Sequence, residues 1–274
     1  MKFLLVIILI NSFFNLNSFG LNTQGAKFCN FPTPKSTNIT TKGFFISGNY
    51  DFGMQRIIYN GGSKNTCNPN IQKQWDSVII IQNGGSISNV ILGVSPDGTS
   101  ADINCMGSCK LTNVYWENVC WRGASFRVAK GFKKTDKTRY TYTVNGGGAL
   151  DGFQKIFDQS GPGKTIISNF CSVNNAIGIA SCGNCGNQYP RDITIQDSKF
   201  MGPMLTIAYG NPVDKVTLKN VEIYGENNPT SKITYACSEY MGESVPNPWA
   251  NSYKPGQAGG KSCNYAANAV KIMT

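Results

Sequence analysis

Histidine is absent from these 274 residues. That absence removes Ser-His-Asp and Cys-His nucleophilic machinery and, with it, histidine-ligated zinc. Acids are scarce: 15 Asp and Glu stand against 25 Lys and Arg, a formal charge of +10. A basic chain suits a polyanion, and composition alone leaves acidic polysaccharide, an anionic membrane surface and nucleic acid open. No apolar run reaches bilayer-spanning length. Sustained helical periodicity is missing too, apart from a turn or two expected over Gly152–Phe157. Gly161-Pro162-Gly163-Lys164 lacks the spacing of a phosphate-cradling loop, and Gly146-Gly147-Gly148 lacks the second half of a dinucleotide fingerprint. A glycosidase needs two apposed carboxylates; Asp97, Asp102, Glu117, Asp151 and Asp158 are candidates that the sequence does not pair.

What is present begins with an export signal. Lys2, the apolar stretch Phe3–Ile10 and Ser18-Phe19-Gly20 predict a signal peptide over residues 1–20, followed by one domain over 21–274. Losing Lys2 lowers the charge from +10 to +9. Ten cysteines in an exported chain predict disulfides, with connectivity open. Cys182-Gly183-Asn184-Cys185 has the spacing of a zinc knuckle or redox pair, but secretion and the missing histidine favour a disulfide. Asn38-Ile39-Thr40 is a glycosylation sequon, expected in an exposed loop. Lys130, Lys133, Lys134, Lys137 and Arg139 cluster in a segment that reads as a solvated loop.

The strongest pattern is a repeat. Ile87-Ser88-Asn89, Leu111-Thr112-Asn113, Ile167-Ser168-Asn169, Ile195-Gln196-Asp197 and Leu218-Lys219-Asn220 each place an apolar residue, a spacer, then Asn or Asp. A weaker sixth lies at Thr143-Val144-Asn145-Gly146. Positions 89, 113, 145, 169, 197 and 220 are separated by 24, 32, 24, 28 and 23 residues. Repeats of this length built from short β-prone runs predict a solenoid in which each unit buries its apolar face only by stacking. Aligned Asn side chains would hydrogen-bond between rungs. The expected fold is all-β, a right-handed parallel β-helix, with rungs over about 85–225 and irregular caps. A β-sandwich also uses short strands, but it requires neither a near-constant step nor a recurrent Asn.

Several stretches carry a family resemblance. They are Cys29-Asn30-Phe31-Pro32-Thr33-Pro34-Lys35, Cys105-Met106-Gly107-Ser108-Cys109, Val114-Tyr115-Trp116-Glu117-Asn118-Val119, Tyr142-Thr143-Val144-Asn145-Gly146-Gly147-Gly148-Ala149, Lys155-Ile156-Phe157 and Ser181-Cys182-Gly183-Asn184-Cys185. In order and spacing the chain resembles the small secreted pectate lyases of polysaccharide lyase family 3, particularly those of plant-parasitic nematodes, over about Cys29–Tyr265. The resemblance implies a parallel β-helix that cleaves de-esterified pectin with calcium, outside the cell and as a monomer. It points away from nucleic acid and membrane as partners and towards pectate or another acidic polysaccharide. The implied reaction is β-elimination: a base removes the proton α to a uronate carboxylate while positive charge stabilises the enediolate.

Carried over residue by residue, the resemblance assigns catalysis to Lys155 and Arg127. Its calcium-binding Asp falls on Ala101, with Asp102 beside it as the metal candidate. Its Glu-Asp pair falls on Trp121 and Arg122, an indole and a guanidinium in place of two oxygen ligands. Arg122 is then expected to hold a substrate carboxylate bidentately, and Trp121 to contact sugar. Trp116 is either a second sugar platform or core. The family's remaining lysine and arginine fall on Ile177 and Ala180, so both charges are lost. Three readings stay open: an active lyase with a rearranged site, a glycan binder without turnover, and a structural scaffold.

Overall fold

A computed structural model describes residues 21–62, 77–95, 102–183, 185–186, 188–240 and 251–274. The expected signal peptide, Cys67, Asp97 and Ala101 lie outside the described residues. A short helix, α1 (Thr23–Phe28), is capped by Asn22, whose side chain accepts from the Gly25 N–H at 2.9 Å. It leads into β1 (Ser36–Thr40), β2 (Phe44–Ile46), β3 (Asn49–Tyr59), β4 (Ser77–Gln82), β5 (Gly85–Gly93) and β6 (Asp102–Met106). Next come β7 (Cys109–Trp116), β8 (Cys120–Arg127), β9 (Tyr140–Gln159), β10 (Gly163–Ser168), β11 (Cys171–Ser181) and β12 (Arg191–Met201). The coil closes with β13 (Met204–Gly210), β14 (Lys215–Tyr224), β15 (Ile233–Glu239), β16 (Asn251–Tyr253) and β17 (Val270–Ile272).

These strands pair in parallel with strands one coil away, except β16, which is antiparallel to β15. The result is a right-handed parallel β-helix with three faces. Sheet I stacks the first parts of β3, β5, β7 and β9 on β10, β12 and β14. Sheet II stacks β1 and the later parts of β3, β5 and β7 with the middle of β9, the start of β11, the ends of β12 and β14, and β17. Sheet III runs β2, β4, β6, β8, the end of β9, the end of β11, β13 and β15.

The sequence repeat is the first corner of each coil. Its apolar residue points inward, and Ile87, Leu111, Val144, Ile167, Ile195 and Leu218 align in one buried column. Each such side chain stabilises the stack by roughly 1.5–3 kcal/mol. The Asn or Asp then takes left-handed backbone, with φ 54° at Asn89, 52° at Asn113, 55° at Asn169, 49° at Asp197 and 48° at Asn220. Asn and Asp tolerate that region best among residues with a Cβ. Their side chains form two ladders. Asn113 Nδ2 donates to Asn89 Oδ1 at 3.1 Å and Asn89 Nδ2 to Asp51 Oδ1 at 3.0 Å, while Asn220 Nδ2 donates to Asp197 Oδ1 at 2.8 Å.

The weak sixth unit corrects the expected register. Asn145 pairs with Thr112 in the spacer column, and Gly146, at φ 70°, holds the corner. Asn145 Oδ1 still accepts from Asn169 Nδ2 at 2.8 Å. Three further expectations change. The coil reaches beyond 85–225, from β1 to β17. The Asn38 sequon lies on strand β1 rather than in a loop. Gly152–Phe157 is strand, not helix. Its helix-like spacing arises because register shifts in the paired strands let consecutive Ile156 and Phe157 both bury.

Disulfides join Cys29 to Cys171, Cys105 to Cys109, Cys182 to Cys185 and Cys237 to Cys263. Cys182 and Cys185 therefore form neither a zinc knuckle nor a free dithiol. Trp116 is fully buried with Phe126, Phe157 and Phe170, which settles it as core.

Candidate functional site

The residues singled out in sequence converge on sheet III. Strand register sets Arg122 of β8 opposite Lys155 of β9, which is opposite Ile177 of β11 and then Thr206 of β13. A parallel row runs Ser125, Asp158, Ala180, Tyr209. Arg127 at the end of β8 pairs with Met106 of β6.

Polar contacts tie these rows together. Arg122 Nη1 donates to Asp158 Oδ2 at 2.9 Å, with the two side chains 16% and 10% exposed. Arg127 Nε donates to Asn104 Oδ1 at 2.8 Å, and Asn104 in turn donates to Ser77 Oγ. Lys155 is partly exposed beside them. Desolvation holds its ammonium below the ordinary lysine value; Asp158 pulls it back up and Arg122 pushes it further down.

Asp102 sits at the start of β6 and is fully buried, and among the described residues no side-chain partner bonds either carboxylate oxygen. Burial pushes its carboxyl well above the usual carboxylate range, against the pull of Arg122 and Arg127 and with a further push from Asp158. Arg122, Arg127 and Lys155 therefore share this strip with the carboxyls of Asp158 and Asp102.

Calcium does not fit these residues. The ion takes 6–8 oxygen ligands. Among the described residues, the carboxylate beside the predicted position, Asp102, is fully buried and feels the charges of Arg122 and Arg127, and Asp158 is committed to Arg122. Among the described residues no group of three His, Cys, Asp or Glu could hold a metal.

Trp121 is partly exposed and lies against Phe153, ring centroids 5.4 Å apart. Ile177 and Ala180 are absorbed into an apolar cluster with Tyr209 and Tyr240, so no charge is rebuilt where the resemblance expects two. Of the candidate acids among the described residues, only Asp158 joins Asp102 here. Glu117 accepts from Arg56 Nε at 2.7 Å on sheet II, and Asp151 accepts from Asn174 and Asn22 at a corner. Asp158 was visible in sequence as a candidate acid, but its partner was not, because Arg122 lies 36 residues away.

Sequence reasoning missed Arg191. It is fully buried, and its guanidinium donates to Ser181 Oγ at 2.9 Å and Ser160 O at 3.0 Å, joining the end of β11 to the turn after β9. A cleft of about 370 Å³ lies elsewhere, beside Cys29 and Asn30, and is lined by Asn113, Tyr115, Asn169, Asp197, Lys199 and Glu222 among others. None of the predicted site residues lines it.

Comparison with known proteins bears on this arrangement. A family model described as pectate lyase matches residues 29–245. The chain is 29% identical over 231 residues to a probable pectate lyase D of Emericella nidulans, covering 82% of this chain and 80% of that protein. It is 31% identical over 168 residues to pectate lyase H of the same organism, covering 61% and 58%. Among solved structures, the catalytic domain of pectate lyase PelI from Erwinia chrysanthemi matches with a TM-score of 0.62 at 22% identity, over 88% of this chain and 98% of that one. PelI in complex with tetragalacturonic acid matches with a TM-score of 0.60 at 20% identity, over 88% and 70%. Identities this low show a shared fold.

Proposed function

The chain belongs to the pectate lyase family, and on that premise we propose that it is an extracellular, monomeric protein acting on polygalacturonate along sheet III, by β-elimination that does not depend on calcium. The observation that carries this reading is the in-register pair of Arg122 and Lys155, with Asp158 bonded to Arg122 and Arg127 further along the same strand. Pectate lyases are generally calcium-dependent. In this chain the guanidinium groups of Arg122 and Arg127 would supply the positive charge instead, with Trp121 at the edge of the sugar path.

The proposed chemistry is as follows. Neutral Lys155 Nζ takes the proton from the carbon α to a uronate carboxylate. The electron pair moves into the carboxylate, giving an enediolate that Arg122 and Arg127 stabilise. Collapse of the enediolate forms the carbon–carbon double bond and breaks the bond to the glycosidic oxygen, which leaves with a proton from water. Lys155 must be neutral to act, and the burial and neighbouring cation that lower its pKa serve that need.

A second reading, binding without turnover, is favoured by the apolar packing of Ile177 and Ala180 with Tyr209 and Tyr240. One assay separates the two. The mature protein is incubated with polygalacturonate, with and without a chelator, and unsaturated product is followed by ultraviolet absorbance. The elimination reading expects product that survives chelation and is lost in Lys155→Ala. Retention on pectate with no product supports the binder. Product abolished by chelation refutes the calcium-free mechanism.

A further inference from the structure

Sheet I turns its outer face to solvent, and that face is basic. Lys110 of β7, Lys164 of β10, and Lys215 and Lys219 of β14 are all exposed and point away from the inward column. Thr143, Thr194 and Thr217 lie between them in one outward row, with Gln196 in the next. From β7 to β14 is four strand steps, about 19 Å along the coil at ~4.8 Å per step.

The loop 128–139 extends this face. It leaves sheet III after Arg127, enters sheet I at Tyr140, and carries exposed Lys130, Lys133, Lys134, Lys137 and Arg139. It is anchored: Phe132 packs on Tyr140 and Tyr189 at 5.9 Å each, and Arg139 pairs with Asp192 at 3.1 Å. Counted together, the face and loop hold nine cations against three carboxylates, Asp51, Asp136 and Asp192. That leaves six positive charges of the net nine carried by residues 21–274.

We propose that the outer face of sheet I, with the 128–139 loop, is a second binding surface for an extended anionic polysaccharide, separate from the sheet III strip. The choice of saccharide class rests on the pectate reading above and on the chemistry of the face. Hydroxyl and amide side chains alternate with lysines, a pattern that meets both sugar hydroxyls and uronate carboxylates. The outward positions of β7, β9, β10, β12 and β14 on this sheet include no aromatic ring on which single-stranded nucleic acid would stack. Ile166 is the lone large apolar residue among them, too little to enter a membrane. The loop joins the two surfaces at Arg127, so one polymer could be held on sheet I while another segment reaches sheet III.

The test uses the mature chain carrying Lys110→Gln, Lys164→Gln, Lys215→Gln and Lys219→Gln together, with the four Lys→Arg changes as the charge-keeping comparator. Thermal midpoints confirm that both remain folded. Affinity for polygalacturonate is measured against salt, beside fully methyl-esterified pectin, duplex DNA and anionic vesicles. The Gln variant is expected to lose at least tenfold in polygalacturonate affinity. Its salt slope should fall by about 3, since each phosphate-type contact releases roughly 0.7 of a counterion. The Arg variant is expected to retain both, and esterified pectin to bind neither protein well. Unchanged polygalacturonate affinity in the Gln variant overturns the proposal. So does complete loss of binding in Arg122→Ala/Lys155→Ala, or a loss confined to DNA or vesicles. Absence of unsaturated product from the unmodified protein counts against elimination on sheet III and leaves this binding measurement to be judged by itself.

Discussion

Phe157→Ala should be among the most damaging single changes in this chain. Phe157 is 1% exposed and sits on β9 between Lys155 and Asp158, side chain inward. Its ring lies 5.8 Å from Trp116, 5.7 Å from Phe126 and 5.2 Å from Phe170. Truncating a buried Phe costs about 3–5 kcal/mol. Each ring pair adds a preference of ~0.5–1.5 kcal/mol beyond area, which places this position at the top of that range, near 5 kcal/mol. A change of that size lowers the thermal midpoint by roughly 10–20 °C in a domain of this class. Urea unfolding followed by tryptophan fluorescence is the assay, because Trp116 reports from inside the cluster. Phe157→Leu, which keeps most of the volume, should cost less than about 1.5 kcal/mol. Phe153, on the same strand and packed only against Trp121 among the rings, provides the comparison. The reasoning is refuted if Phe157→Ala costs under about 1.5 kcal/mol, or no more than Phe153→Ala.

Four further outcomes are expected. Lys155→Ala should lower product formation by about 10²–10⁴-fold, the usual worth of a positioned base. The alkaline rise in the rate of the unmodified protein should begin below the ordinary lysine pKa. Arg122→Ala should shift that rise to higher pH, because it removes a repelling cation and frees Asp158 to stabilise the ammonium. An unmoved pH profile would contradict that coupling. Gly147→Ala should destabilise by more than the ~1–3 kcal/mol of left-handed strain. Its backbone has φ 96°, and a Cβ there would lie 2.1 Å from Val114 O, whereas Gly48→Ala meets open space and should change the urea midpoint little. Replacing Cys29 and Cys171 by Ser together should cost up to ~5 kcal/mol in the chain-entropy picture, since the bond spans 142 residues. Calorimetry of the double variant checks it.

Much of the coil was legible because its signals are local. The inward column from Ile87 to Leu218 and the left-handed corners from Asn89 to Asn220 are set by residues two apart, and a solenoid repeats them. The one misplaced corner, Asn145 for Gly146, fails for the same local reason: either residue tolerates positive φ, and only the pairing of Thr112 with Asn145 decides between them. β3 escaped notice because it lacks the apolar-spacer-Asn signature; its bend falls at Gly53 and Met54, with φ 59° and 65°. The helix expected at Gly152–Phe157 mistook a strand irregularity for a 3.6-residue period.

The sequence by itself determined the all-β coil, the presence of disulfides and the family, because periodicity, cysteine usage and motif order can each be read along the chain. The family resemblance also sets Ile177 and Ala180 where two cations are expected. The tertiary structure alone decided what surrounds those two positions and which charges meet. Stacking brings Arg122 to Lys155 and Asp158 across 33 and 36 residues and closes Tyr209 and Tyr240 over the vacated positions. It also gathers lysines from three separate strands onto one face. Contacts of that kind depend on the registration between coils, which the distances along the chain do not carry.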